Sequence, residues 1–162
     1  MTNGAVYAVV VSGNIIYISG DFTSVGPNTG AGVALDTSTG ISDPAFPRVN
    51  GTINTAIPDG SGGWYIGGAF TAVGGTARNR IAHILPDKSL DPDWDPNANG
   101  NVNALAVSGS TVYAGGDFTS IAGETRNRIA ALDASTGLVT SWNPNASSSV
   151  LALVVSGSTA WS

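Results

Sequence analysis

An all-β repeat protein, built of four-stranded antiparallel sheets stacked as the blades of a propeller, is what three observations predict. The first is a period. Phe22, Phe70 and Phe118 stand 48 residues apart, and Tyr17, Tyr65, Tyr113 and Trp161 keep the same step. The closing aromatics Phe46, Trp94 and Trp142 follow it as well. The second is punctuation: short β-branched and aromatic runs alternate with Gly, Asn and Ser turns, and no apolar spacing of helical period occurs. The third is composition. Only 10% of residues are charged, and polarity comes instead from Gly, Ser, Thr and Asn, which suits strands and turns. A glycine-rich aromatic motif recurring every 40 to 50 residues or so marks propeller blades.

The elements follow in order. The first repeat, about 2–50, opens with the apolar run from Ala5 to Val11, which is predicted to be an inner strand buried on both faces. Ser12, Gly13 and Asn14 turn the chain into a hairpin with a second strand, Ile15 to Phe22. A loop from Thr23 to Gly32 leads to a third strand, Val33 to Asp36, and a fourth, Ile41 to Phe46, which Pro47 closes. In the second repeat, about 51–98, strands are predicted at Thr52–Ile57, Trp64–Phe70, Arg80–Leu85 and Ser89–Trp94. In the third, about 99–146, they are predicted at Val102–Val107, Thr111–Phe118, Arg128–Asp133 and Leu138–Trp142. A partial fourth repeat, about 147–162, begins with Val150–Val155, turns at Ser156, Gly157 and Ser158, and places Trp161 on the tyrosine position.

A four-stranded sheet cannot bury its faces alone, so each repeat must pack on the next. Three repeats and a fragment are too few to close a ring of four to eight blades. The chain therefore reads first as an excerpt of a longer propeller. A ring completed by further copies and an open filament of stacked blades are the alternatives.

Composition also excludes function classes. Net charge is −5 with six basic residues, so no basic stripe exists to neutralise phosphates, and nucleic acid is not an expected partner. No run of 18 apolar residues predicts a membrane span. Cysteine is absent, which removes disulfides and thiolate chemistry. The amino-terminal stretch lacks a basic region before its apolar run, so an export signal would lie outside this chain.

The motifs Gly67-Gly68-Ala69-Phe70-Thr71, Gly115-Gly116-Asp117-Phe118-Thr119, Arg78-Asn79-Arg80-Ile81-Ala82, Arg126-Asn127-Arg128-Ile129-Ala130 and Trp142-Asn143-Pro144 resemble the bacterial delta-60 repeat family. The double glycine is also similar to kelch repeats, whose Tyr and Trp spacing is not met here. The first repeat departs from the pattern, with Ser19-Gly20 for the glycine pair and Phe46 for tryptophan. The resemblance covers essentially the whole chain. It implies a propeller repeat of large exported proteins, and an extracellular or cell-surface location. It carries no activity.

Each candidate site has a bland reading beside it. The glycine pair permits a bulge or a close backbone approach, and the following Phe fills the space between blades. Asp21 and Asp117 could pair with arginines, but only the third repeat holds both partners, which leaves a pair across blades. Arg78 with Arg80, and Arg126 with Arg128, would share a strand face and could hold an anion, or could bond loop carbonyls instead. Asp91, Asp93 and Asp95 project to one side of an extended chain; hard carboxylate oxygens suit calcium, and a solvated turn is the plain alternative. His83 is the only histidine, so no zinc pair exists, and a structural role is expected of it. Glu124, the only glutamate, falls in a predicted loop. Asn50-Gly51-Thr52 and Asn145-Ala146-Ser147 match the glycosylation pattern.

Nothing assembles a nucleophile, a base and an orienting group. No catalytic, cofactor or metal residue is assigned, and the chain is expected not to be an enzyme. The expected function is a scaffold contacting protein or carbohydrate partners through blade loops. The alternatives are a self-associating structural component and a piece of a propeller enzyme whose catalytic residues lie elsewhere.

Overall fold

The computed structural model describes residues 2–25 and 30–156 and the backbone of 159–161. The described residues are strand and turn throughout, without helix. The first sheet comprises β1 (Val6–Ser12), β2 (Ile15–Gly20) and β3 (Gly32–Asp36), in that order and antiparallel. β4 (Val49–Asn50) leads to the second sheet, formed by β5 (Ile53–Pro58), β6 (Trp64–Gly68) and β9 (Ile81–Ile84). Between them, β7 (Ala72–Val73) and β8 (Thr76–Ala77) make a small hairpin on which β4 pairs. The third sheet is β10 (Val102–Ser108), β11 (Thr111–Gly116) and β14 (Ile129–Asp133), with the matching hairpin of β12 (Ser120–Ile121) and β13 (Glu124–Thr125). β15 (Val154–Ser156) and β16 (Thr159–Trp161) pair to start a further sheet. The predicted turn at Gly157 and Ser158, and the predicted loop over 26–29, lie outside the described residues.

The stretches predicted as fourth strands are corrected. Each shrinks to a single bridge, Leu35–Ser42, Ile84–Leu90 or Leu132–Val139. In the first sheet Asp36 N donates to Ile41 O at 3.1 Å and Asp43 N to Ala34 O at 2.8 Å, and pairing then stops. The next inward-facing donors turn back to side chains two residues earlier, Ala45 N to Asp43 Oδ1, Asp93 N to Asp91 Oδ1 and Trp142 N to Thr140 Oγ1. Arginines take the carbonyls instead: Arg78 Nη2 donates to Asp91 O and Pro92 O, and Arg126 Nη2 to Thr140 O.

The glycine pairs behave as predicted and close each second strand before its Phe. A Cβ on Gly20, Gly68 or Gly116 would collide with the carbonyl of Ala5, Thr52 or Asn101 across the sheet. A bulge faces each of them, at Val6/Ala8, Ile53/Thr55 and Val102/Ala104. The first glycine of the pair admits the next repeat: a Cβ on Gly67 would stand 2.6 Å from Val102 Cγ1. Phe22, Phe70 and Phe118 are then fully buried, each contributing roughly 2–3 kcal/mol of apolar burial.

Two cores join the sheets. Tyr17, Ala34 and Phe46 of the first meet Ile53, Trp64, Ile66 and Ile84 of the second. Tyr65, Ile81 and Trp94 of the second meet Leu105, Val112, Ala114 and Leu132 of the third. The first inner strand is a second correction. It was expected to be buried on both faces, yet Val9 and Val11 are 60% and 62% exposed, whereas Leu105, 96 residues after Val9, is 5% exposed. An inner strand buries both faces only between two sheets, and no described sheet covers the outer flank of β1.

Candidate functional site

The densest cluster of ionisable groups surrounds His83, at the junction of the second and third sheets. β9 pairs with β6 so that His83 lies opposite Tyr65, and the rings stack with centroids 4.3 Å apart. The bridge after β9 returns the chain so that Asp91 N donates to His83 O. This brings Asp91 Oδ2 to 2.9 Å from His83 Nδ1. On the other side, Asp59 Oδ2 lies 3.2 Å from His83 Nε2. The His83 and Asp59 side chains are only 10% and 5% exposed.

Asp59 comes from the turn between β5 and β6. That turn runs from Asp59 to Gly63, and is longer than the two-residue turns Gly13-Asn14 and Gly109-Ser110 of the other sheets. Asp59 Oδ1 accepts from Ser61 N at 2.7 Å and Gly63 N at 2.8 Å, and Oδ2 from Ser61 Oγ at 2.6 Å. Burial pushes the Asp59 carboxyl up, but hydrogen bonds from Ser61, His83 and Gly63 outweigh it and hold the group below its usual value. Burial, aided by the charges of Asp59, Asp91 and Asp133, pushes Tyr65 up to about 12. The Tyr65 hydroxyl donates to Ala134 O at 2.9 Å, and Trp94 Nε1 donates to Asp133 O at 3.3 Å. These two bonds tie the cluster to the third sheet.

The predicted residues distribute as follows. Asp91, Asp93 and Asp95 do not converge: Asp91 faces His83, and Asp95 lies 3.4 Å from Arg78 Nη1. Among the described residues no cluster of three or more His, Asp or Glu side chains could hold a metal ion. The shared face of Arg78 with Arg80, and of Arg126 with Arg128, is corrected. Neither pair lies in a strand, and Arg80 and Arg128 adopt left-handed backbone with φ of 67° and 64°. All four guanidinium groups bond carbonyls, Arg80 to Ala98 O and Arg128 to Ala146 O among them. The Nε atoms of Arg78 and Arg126 are buried without a partner among the described residues.

Asp21 and Asp117 do not meet arginine. Asp21 accepts from Ala5 N and Tyr7 Oη, and Asp117 from Asn103 Nδ2 and, across to the start of the next repeat, Ser149 Oγ. Glu124 belongs to the exposed strand β13 and not to a loop. Asn50 is exposed, and Asn145 Oδ1 accepts from Asn127 Nδ2 at 2.6 Å.

Asp59 is the residue that sequence reasoning missed. Two signals marked it: the long turn of the second repeat, and a histidine where the register of the other sheets puts Ala34 and Ala131. Chemically the cluster is closed. Both ring nitrogens of His83 already face carboxylates, and the stacked Tyr65 covers the ring.

Architecture and repeat motifs together define an all-β repeat protein of the propeller type. The family model described as a beta-propeller domain of unknown function (DUF5122) matches residues 58–93 and 111–135. Among solved structures, the crystal structure of the computationally designed Ika4 protein is similar, with a TM-score of 0.68 at 16% identity. The match covers 98% of this chain and 84% of that one. At that identity the likeness speaks for the fold alone. Comparison with curated proteins finds no match. Among the described residues no helix is long and apolar enough to cross a membrane.

Proposed function

We propose that this chain is a non-enzymatic propeller scaffold of an exported or cell-surface protein, contacting protein or glycan partners through the loops of its sheets. A blade of three strands with the fourth reduced to a bridge, the blade limits near residues 50, 98 and 146 and the delta-60 resemblance with its kelch-like glycine pair belong to the same reading. One observation carries it: the buried and half-buried charged clusters are engaged by the fold itself. Asp36 and Asp133 cap their turns, Asp43 pairs with Lys88 of the next repeat, Asp59 and Asp91 hold His83, and the arginines hold carbonyls. Groups so engaged are poorly placed to move protons on a substrate. The test is a panel of chromogenic hydrolase substrates run beside a glycan array. The expected result is glycan or protein binding without turnover. Turnover lost on Asp59→Asn would overturn the reading.

Self-association is the second reading, in a filament or a ring completed by further copies. It is favoured by the uncovered flank of the first sheet, where Val9 and Val11 are exposed at positions whose third-sheet counterparts, Leu105 and Val107, pack in the second core. Light scattering across concentrations tests it: a mass that grows with concentration, and falls to one chain with Val9→Asp, is expected.

A further inference from the structure

Three Asn-Gly steps recur near the starts of the repeats: Asn3-Gly4, Asn50-Gly51 and Asn99-Gly100. All three asparagines are exposed, yet the fold treats their side chains differently. Asn3 Oδ1 accepts from Thr23 N at 2.9 Å and Ser24 N at 3.1 Å, and its Nδ2 donates to Thr23 Oγ1 at 2.7 Å. Asn99 repeats the arrangement with Thr119 N at 2.8 Å, Ser120 N at 2.9 Å and Thr119 Oγ1 at 2.9 Å. The second repeat breaks it. Its Asn-Gly step falls 49 residues before that of the third, not 48, and Asn50 occupies the last position of the short strand β4. There its main-chain carbonyl accepts from Thr71 N at 3.0 Å, while no described residue bonds its side-chain amide. Gly51, with φ of 123°, offers a main-chain nitrogen with no acceptor among the described residues.

We infer that Asn50 is a self-modifying site: the Gly51 nitrogen attacks the Asn50 side-chain amide, while Asn3 and Asn99 are protected. In the step, a bond forms between Gly51 N and Asn50 Cγ. The Cγ–Nδ2 bond breaks, and ammonia leaves with the proton lost from Gly51 N. The product is a five-membered succinimide. Water then opens the ring at either carbonyl, giving aspartate or isoaspartate at position 50. Three hydrogen bonds hold the amides of Asn3 and Asn99 away from this path, and each must be broken before Cγ can turn toward the following nitrogen. The isoaspartate product adds a methylene to the main chain of β4, the strand that links the first and second sheets through its pairing with β7.

The experiment ages the whole folded chain at mildly alkaline pH in heavy-oxygen water, and maps the three Asn-Gly peptides by mass spectrometry. The same incubation is run in urea. In the folded chain Asn50 is expected to gain the acid mass and a heavy oxygen. Asn3 and Asn99 are expected to lag about tenfold or more, the factor that ~1.4 kcal/mol of hydrogen bonding supplies. In urea the three rates are expected to draw together. Asn50→Gln, which leaves Gly51 and its backbone unchanged, is expected to abolish the modification at this step. Conversion of Asn3 or Asn99 as fast as Asn50 in the folded chain would overturn the inference. So would an Asn50 amide that survives folded and converts only in urea.

Discussion

The two junctions between sheets use one backbone register for opposite chemistry. At the first, Tyr17 faces Ala34 across the strands and packs with Phe46 and Trp64, so the contact around the tyrosine is apolar, and the ion pair of Asp43 with Lys88 is the polar link between the repeats. At the second, Tyr65 faces His83, which is gripped by Asp59 and Asp91, and Trp94 donates to the third sheet. The third sheet reverts to alanine, with Tyr113 opposite Ala131. Since alanine serves at two of three equivalent positions, the backbone does not require the histidine. What the polar version adds is direction. Tyr65 and Trp94 each donate from within the packed core to a carbonyl of the facing sheet, which fixes how the second and third sheets meet, whereas at the first junction the directional link is the Asp43–Lys88 ion pair, outside the ring cluster.

The comparison breaks most sharply at the closing aromatics. Trp94→Ala is expected to cost about 4 kcal/mol and Phe46→Ala about 3 kcal/mol, because Trp94 leaves the larger cavity and gives up its hydrogen bond to Asp133 O, a carbonyl that Gly137 N continues to bond. Urea unfolding of both variants checks the order, and an equal cost would mean that the hydrogen bond to Asp133 contributes nothing.

Next comes His83→Ala, which copies the other two sheets. It is expected to cost roughly 3 kcal/mol, since it removes one hydrogen-bond partner from each of two largely buried carboxylates, Asp59 keeping Ser61 and Gly63 and Asp91 keeping Asp93 N, and leaves a ring-sized cavity beside Tyr65. Adding Asp59→Asn and Asp91→Asn removes those charges and is expected to restore most of the loss. No restoration would show that the stacked ring, and not the charge, matters.

The smallest effect is expected at the turns common to the first and third sheets. Asp36 and Asp133 cap equivalent turns through Ser38 with Thr39, and Ser135 with Thr136, and these bonds lower both carboxyls to about 2 from 3.8. A carboxyl lowered on folding stabilises above its unfolded value, and the stabilisation is lost as pH falls from about 4 through about 2. Thermal melts over that range should show the loss in the parent. A chain carrying both Asp36→Asn and Asp133→Asn should show a flatter acid limb.

Legibility followed the range of the interaction. The glycine pairs, the Phe after them, the hairpin turns and the strand cores of the first three repeats are readable because each rests on neighbours in the chain or on the repeat itself, whereas the inner strand expected over Val150–Val155 is strand only from Val154. Periodicity locates the fourth segments but over-reads their length: the side chains of Asp43, Asp91 and Thr140 capture the next donors, and Arg78 and Arg126 the carbonyls, which cuts the pairing to one bridge. Arg80 and Arg128 were assigned strand geometry from their apolar neighbours, when a left-handed turn precedes each strand. His83 was read as structural, consistent with its buried place, but its partners lie 24 and 8 residues away and no local pattern names them. The clue was comparative: a residue and a turn that differ from the other copies.

The all-β character, the repeat and the places where glycine must stand are written into the order of residues. Those follow from alternation, period and backbone sterics, which are local. Which face of each sheet is covered, where the charges go and how the sheets lock are set by packing between segments far apart in the chain. Burial depends on the neighbouring sheet, as Val9 and Leu105 show, and a buried charge is tolerable only where distant segments bring it a partner.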